Sequence, residues 1–456
     1  MIVKTITSKN IIDEKMRLDC SPYMTSAFEA RAAILKINVK KQHLGEIATI
    51  YKGKQLKRIF VDKGNGVGFL NTSNMLHMHL FNLPYLSSDI ANTDKKCFVN
   101  KRDILVSAAG SIGRMSYISG DMEKLFACGD IIKVTIDDSK VLPGYVYALM
   151  NGKFGKPIIQ MGTYGSIIQH LDVKDLAKFS VPIVSKDVEN LANDFMEKSI
   201  QLYEESSNLL AELVRKIDAP YHEELSSDSK YTVIKSTELL KRFDVTFHDP
   251  RVKVLKRAIK RNRHTTIGDF CTSTFLPGIF KRIHIDDINF GSEYFTGSSL
   301  FCKEPEAKGI LSKTTSKYEE VLLKFGTVLV QAFGQKGGLT GRPVWVGHNL
   351  DNKTTTHMLV RLYTKNVIQA AFLYTFLLSE TSYRQVAALT YGGSIPHFDE
   401  KIIKDVLIPF ELDSEEIKEI GEISLKALEM RDNAQSFERQ AIQLVENAIE
   451  AAVPKH

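Results

Sequence analysis

Read for apolar and polar positions, the chain alternates short apolar runs with long stretches of seven-residue period. IATIYKG (47–53), DILVSAAG (103–110) and IIKVTI (131–136) are short, rich in β-branched residues and bounded by Gly, Asn, Asp or Pro, which predicts strands. TVLVQAFG (327–334) and HMLVRLY (357–363) read the same way later in the chain. Apolar patches at 142–151 and 367–380 predict helices. The run 367–378 is too short to span a membrane and is expected to be a buried helix.

Two longer stretches carry a different pattern. From Ile420 an apolar or alanine residue returns at every seventh position, at Ala427, Ala434, Ala441 and Ala448. A second series sits three residues on, at Ile423, Met430, Phe437, Leu444 and Ala451. Sustained over several turns, this predicts a coiled-coil seam, with the small alanines favouring close helix-on-helix packing. Residues 187–216 carry Val188, Phe195, Leu202 and Leu209 at the same period, with a weaker second series of Leu191, Lys198 and Glu205. The two helices are expected to pack on each other and hold apart the segments that precede them. Ala219-Pro220 and the polar HEELSSDSK form the connection between halves.

The pattern also repeats as a whole. At a shift of roughly 225 residues the chain matches itself in one order. Arg17-Leu18-Asp19 answers Arg242-Phe243-Asp244, and Leu44-Gly45-Glu46 answers Ile267-Gly268-Asp269. Lys57-Arg58-Ile59 with Asp62 answers Lys281-Arg282-Ile283 with Asp286. DILV at 103–106 answers TVLV at 327–330, each followed by Ala and Gly (Ala108, Gly110; Ala332, Gly334). TYGSIIQHLD (163–172) answers TYGGSIPHFD (390–399), and a proline closes each block at Pro182 and Pro409. Such ordered matches mark an internal duplication.

Composition narrows the class. A chain of 456 residues, 43% hydrophobic and 25% charged, suits two or three folded domains. The N-terminal segment has no apolar core with a cleavage site behind it, so no secretory signal is expected. The five cysteines (Cys20, Cys97, Cys128, Cys271, Cys302) form no metal-ligand spacing, and reduced thiols in a cytoplasmic protein are expected. A net charge of +6 and a pI near 8.8 permit nucleic-acid binding without demanding it.

A search for chemistry finds little. There is no G-x-x-x-x-G-K-[ST], no G-x-S-x-G and no H-E-x-x-H. His170 and His397 recur beside Asp172 and Asp399. An acid–base pair is one reading; a histidine closing a turn with Asp capping the next helix is the favoured one. No metal site is expected. Basic and polar features carry more. Lys57-Arg58 and Lys281-Arg282 recur early in each half, Lys54 stands before the first pair, and RVKVLKRAIKRNR (251–263) is densely basic. Asn71, Ser73 and Asn74, Arg114, Gln335 and Lys336, and Arg342 supply further donors and acceptors. Phosphates and base edges are met by such groups, and so is solvent; both readings stand.

Taken together, the early K-R segment, the DILVSAAGSIG strand and turn, the T-Y-G-x-I-x-H block, the strand ending VPI or IPF, and the long helix that follows make each half resemble a target-recognition domain. The whole chain resembles the specificity (S) subunit of type I restriction–modification systems. The resemblance implies an α+β fold: two homologous mixed α/β target-recognition domains separated by two long conserved helices packed as an antiparallel coiled coil. On it, residues 1–184 are the first recognition domain, 185–217 the central spacer helix, 218–241 the connection, 242–412 the second domain and 413–452 the C-terminal spacer helix.

The resemblance further implies a non-catalytic chain that binds a split, asymmetric double-stranded DNA target. Its partners would be two adenine methyltransferase subunits and restriction (translocase/nuclease) subunits. S-adenosylmethionine, ATP and magnesium would belong to those partners, with no cofactor bound by this chain. Tyr164, Gly165, His170, Tyr391, Gly392 and His397 would be scaffold turns. Two other readings remain: a DNA-cleaving enzyme using groups such as Asp172 and Lys174, and an assembly scaffold that reads no DNA.

Overall fold

The structure is a computed structural model that describes residues 6, 8, 11, 23, 26–161, 170–239, 242–335 and 337–454. It divides into two units, Met1–Glu204 with Asn433–His456, and Glu205–Asp432. The division falls inside both long helices, the central helix (Lys186–Asp218) and the C-terminal helix (Glu415–Ala452), so each unit holds a stretch of each.

Unit 1 opens with helix α1 (Ser26–Lys36), strand β1 (Lys41–His43), the short helix α2 (Leu44–Ile47) and β2 (Ala48–Lys52). There follow β3 (Phe60–Val61), β4 (Gly66–Leu70), β5 (Tyr85–Ser87), β6 (Ile104–Ser107), β7 (Met115–Tyr117), β8 (Phe126–Ala127) and β9 (Ile131–Ile136). Helices α3 (Pro143–Asn151), α4 (Gly155–Met161) and α5 (Val173–Ala177) and strand β10 (Ser180–Pro182) lead into the central helix. One antiparallel sheet has the order β2-β9-β6-β7. A second, β3-β5-β4-β8, ends in a parallel pair with Phe69 opposite Phe126. β1 pairs with β10.

Every residue of β6 is buried, so the strand reads as a continuous apolar run rather than an alternating one. Val106, Ile132 and Val134 pack with Tyr145 and Leu149 of α3. The same core takes Ala192, Met196 and Ile200 from the central helix and Ala441, Val445 and Ile449 from the C-terminal helix. Here the start of one long helix meets the end of the other, as antiparallel packing requires.

Unit 2 repeats this order of strands, with a 3-10 turn (Ile402–Asp405) where unit 1 has α5. Its members are α6 (Pro250–Lys260), β11 (Thr265–Thr266), α7 (Ile267–Phe270), β12 (Ser273–Phe275), β13 (His284–Ile285), β14 (Gly291–Phe295) and β15 (Gly309–Ser312). Then come β16 (Val328–Gln331), β17 (Pro343–Trp345), β18 (Thr354–Thr355), β19 (Leu359–Tyr363), α8 (Val367–Leu378), α9 (Glu380–Leu389) and β20 (Leu407–Ile408). The sheets run β12-β19-β16-β17 and β13-β15-β14-β18, and β11 pairs with β20. Single hydrogen bonds recur: Ala108 N donates to Asp130 O, as Ala332 N does to Met358 O, at 2.9 Å in both. Before β6 and β16 the chain takes the same left-handed turn, with Arg102 at φ 72° and Gly326 at φ 79°. The apolar run 367–378 is the buried helix α8.

Carboxylates on the long helices fix each unit. In unit 1, Glu204 of the central helix accepts from Gly120 N at 2.6 Å, and Glu446 of the C-terminal helix accepts from Lys153 N at 2.6 Å. In unit 2 the helices exchange these jobs. Asp432 of the C-terminal helix accepts from His348 N at 2.9 Å, and Asp218 of the central helix accepts from Glu380 N and Thr381 N at 3.0 and 2.9 Å. Asp218 thereby caps α9, whose first amides have no partner inside the helix.

The seam differs in detail from the expected one. Ile420, Ala427, Ala434 and Ala441 are buried, as the period predicts. The second buried stripe is Ile417, Ser424, Arg431, Glu438 and Val445, while Ile423, Met430, Phe437 and Leu444 are half-buried. The reason is polar docking. Ser424 accepts from Thr375 at 2.7 Å and Arg431 donates to Tyr374 at 3.1 Å; in unit 1 Glu438 accepts from Tyr147 at 2.6 Å. Phe437, on the flanking stripe, stacks on Phe195 of the central helix with centroids 5.9 Å apart. On the central helix the buried stripe is Ala192, Met196, Ser199, Tyr203, Ser206, Leu210, Leu213 and Ile217, one position round from the expected Val188, Phe195, Leu202 and Leu209, which are half-buried. A pattern of apolar residues alone misses buried serines.

Candidate nucleic-acid interface

The duplicated cations meet in one structural setting. In unit 1 they lie on the loop between β2 and β3, where Lys54, Lys57 and Arg58 are exposed. The Arg58 guanidinium sits 5.6 Å from the Phe69 ring centroid, and its Nη2 lies 4.0 Å from Asp130 Oδ2. In unit 2 the loop between β12 and β13 carries exposed Lys281 and Arg282. Arg282 sits 5.5 Å from the Tyr294 ring and 5.6 Å from the Phe280 ring, and its Nε donates to Tyr294 Oη at 2.6 Å. Phe69 and Tyr294 hold the same place, each facing the parallel strand β8 or β18. Both arginines are therefore fixed over an equivalent aromatic face, which orders the guanidinium at modest cost. Lys57 and Lys281 extend beside them into solvent.

Other candidates are placed less favourably. The Asn71 side chain accepts from Ser73 N at 2.9 Å and Asn74 N at 2.8 Å, and Asn74 in turn accepts from Asn71 N at 2.8 Å. NTSN is thus a self-bonded turn with Ser73 exposed. Asn74 is buried, which corrects the expectation for it: its carboxamide is committed to the turn. Arg342 needs the same correction. It is buried, with its guanidinium 3.4 Å from the Tyr383 ring centroid, and burial lowers its pKa. Arg114 is half-buried near His77, whose pKa is pushed down to about 4 by burial and then by Arg114. Gln335 is exposed and donates to Ser394 O at 3.2 Å. Lys336 lies outside the described residues.

In the basic stretch 251–263, Val252, Leu255 and Ile259 are buried. Arg251 pairs with Asp249 and Arg263 with Glu411, which leaves Arg257, Lys260 and Arg261 on the exposed side.

Where it is described, the repeated turn is held by its own backbone and by ring contacts. Tyr391 and His397 exchange backbone hydrogen bonds at 2.8 Å, Gly392 takes φ 95°, and the Phe333 ring stacks on His397 at 5.1 Å. Tyr164 and Gly165 lie outside the described residues. Leu171 N, after His170, donates to Ala108 O at 3.0 Å, as Phe398 N, after His397, does to Ala332 O at 3.2 Å. Asp172 accepts from Lys174 N at 2.8 Å, and Asp399 from Lys401 N and Ile402 N at 2.9 and 3.0 Å, so both aspartates cap turns as the favoured reading expects. Burial pushes the thiols of Cys97 and Cys271 up to about 12. Among the described residues no three of His, Cys, Asp and Glu are grouped to hold a metal ion, and no helix is long and apolar enough to cross a membrane.

Sequence reasoning missed two residues at this surface. Gln55, on the tip of the unit 1 loop, donates to Asp130 Oδ1 at 2.8 Å, so Asp130 ties both Gln55 and Arg58. Gln55 stands two positions before the repeated Lys-Arg, and that offset was the available signal.

The chain is similar to known proteins. Residues 36–214 match the family described as the Type I restriction modification DNA specificity domain. The chain is 21% identical over 395 residues to the Type I restriction enzyme MjaVIII specificity subunit of Methanocaldococcus jannaschii, covering 80% of this chain and 83% of that protein. Among solved structures it is similar to the type I restriction–modification S subunit from M. genitalium, at 14% identity and a TM-score of 0.36, with 92% of this chain and 97% of that chain covered. It is also similar to the HsdS subunit from Thermoanaerobacter tengcongensis, at 11% identity and a TM-score of 0.27, with 91% and 96% covered. The resemblance to type I specificity subunits read from the sequence is borne out by the family match.

Proposed function

We propose that this chain is the DNA sequence-specificity subunit of a type I restriction–modification complex, with each unit binding one half of a split, asymmetric target. The observation that carries this reading is the repeated setting of Arg58 and Arg282, on equivalent loops of two units with one fold, each beside an exposed lysine. Paired cations at equivalent places suit phosphate contacts on two stretches of one duplex. The chain recruits adenine methyltransferase subunits and, in the full complex, restriction subunits. S-adenosylmethionine, ATP and magnesium serve those partners, and this chain performs no catalysis. Such a complex works on chromosomal and invading DNA, which assigns it to the cytoplasm. A nuclease centred on Asp172 gains no support from that residue's role as a helix cap.

The test is a genome-wide map of methylated adenine in the native host, with and without this gene. Loss of methylation at a motif of two short half-sites around a fixed gap is the expected result. Unchanged methylation on deletion would overturn the reading.

A further inference from the structure

The two loops share their cations and differ at their tips. In unit 2 Phe280 is buried with Tyr294, Leu311, Tyr318 and Val321, and Pro277 is buried too. Between these anchors stands Ile279, 82% exposed. Cations surround it. Lys281 and Arg282 follow in sequence, and Lys317 Nζ lies 2.6 Å from where a Cβ would stand on the neighbouring Gly278. An isoleucine held out at 82% exposure by a buried phenylalanine adds nothing to the core of its unit. The Phe280 ring lies 6.2 Å from the ring of His357, and the residue after that histidine, Met358, is 37% exposed.

Unit 1 puts different chemistry at both places. Counting from the repeated Lys-Arg, Ile279 corresponds to Gln55. The matching bonds Ala108 N to Asp130 O and Ala332 N to Met358 O make Met358 the counterpart of Asp130. Gln55 and Asp130 are joined by a 2.8 Å hydrogen bond. One bond of the Gln55 amide is thereby used, and the oxygens left over at this tip are acceptors. So one tip is polar and acceptor-rich, and its counterpart is apolar, on the same backbone beside the same cations.

We infer that these tips read bases: Gln55 with Asp130 takes an amino-bearing base edge in one half-site, and Ile279 with Met358 takes a thymine methyl in the other. The argument rests on the proposed DNA-reading function and deepens it. Residues that are the same in both units cannot tell two half-sites apart, which assigns Lys57, Arg58, Lys281 and Arg282 to the phosphates. Residues that differ on a shared scaffold can. In the major groove, carboxylates and carboxamides accept from cytosine N4 or adenine N6, and apolar side chains meet the methyl of thymine. The cations flanking each tip bring it to the duplex by charge.

The test uses the complex purified from its host through a tag on this chain, with a pool of duplex DNA of random sequence as the probe. Wild type is compared with Ile279→Ala and Gln55→Ala, both exposed positions. Wild type should enrich a split motif. Ile279→Ala should relax the preference for thymine at one position of one half-site about tenfold, and Gln55→Ala should relax one position of the other half-site by a similar factor. Unchanged motifs in both variants, relaxation of the same half-site by both, or loss of all enrichment in a variant whose complex is intact would each overturn the inference while leaving the specificity function standing. A wild-type complex that enriches no split motif would overturn the function itself, and the inference with it.

Discussion

One sheet position in the two units shows how a duplicated fold diverges. In unit 1, Lys133 on β9 faces Leu105 of β6; its Nζ donates to Phe98 O at 2.7 Å and lies 3.7 Å from the buried carboxylate of Asp103. In unit 2, Arg361 on β19 faces Leu329 of β16 in the same register. The counterpart of Asp103 there is Thr327, and the one carboxylate that acts on Arg361, Glu320, makes no ion pair with it among the described residues. Arg361 is 1% exposed, donates from Nη1 to Leu359 O at 3.1 Å, and has no partner for Nε or Nη2. Burial pushes its pKa down to about 10. The same strand thus tolerates a buried pair in one unit and an unpaired guanidinium in the other. Strand pairing and the apolar face of the sheet, not this charge, hold the architecture.

The largest break in this comparison should come from Asp103→Ala. It removes the carboxylate opposite Lys133 and the acceptor for Asn100 N and Thr135, and should cost unit 1 about 3–5 kcal/mol. Hydrogen exchange at the amides of β6 and β9 measures this. Thr327→Ala should leave the exchange of β16 and β19 nearly unchanged, and equal losses in both units would contradict the distinction.

Acid should separate the units next. Unfolded His77 takes up a proton near pH 6.5, but the folded residue only near 4. Its contribution is therefore complete above pH 6.5 and is lost as the pH falls towards 4, by up to about 3 kcal/mol. Unit 2 has Cys302 at the corresponding cap; its His357, lowered in the same direction by burial and then by Arg282, should give its exchange only a weaker dependence. His77→Gln should flatten the unit 1 profile between pH 6.5 and 4.

A smaller effect of opposite sign is expected from Arg361→Met. Replacing an unpaired buried cation by an apolar side chain of similar length should stabilise unit 2 by about 1–2 kcal/mol. Slower exchange in β16 and β19 would record it, and faster exchange would mean that the guanidinium has a structural use.

The smallest changes concern the positions the units share. Lys57→Ala and Lys281→Ala should each weaken DNA binding for all sequences alike and reduce the salt dependence by about one phosphate contact, without changing base preference. Titration of the complex against a fixed duplex at several salt concentrations reads this directly.

The sequence by itself determined the duplication, the order of strands and long helices, and the equivalence of Lys57-Arg58 with Lys281-Arg282. Repeated spacing survives in one dimension, and periods of two and seven follow from local backbone geometry. It also showed that Asp172 and Asp399 suit caps, because capping acts over two or three residues. What only the tertiary structure decided depends on groups far apart in the chain. Ser199, Ser206, Ser424 and Glu438 are buried because a neighbouring element covers them, which no apolar period records. Asn74 and Arg342 looked like free donors, and they turn inward because local turns and the Tyr383 ring claim them. The contrast between the loop tips likewise needed Asp130 and Met358, far along the chain from Gln55 and Ile279. The chain writes its strands locally; what a side chain can touch is set by folding.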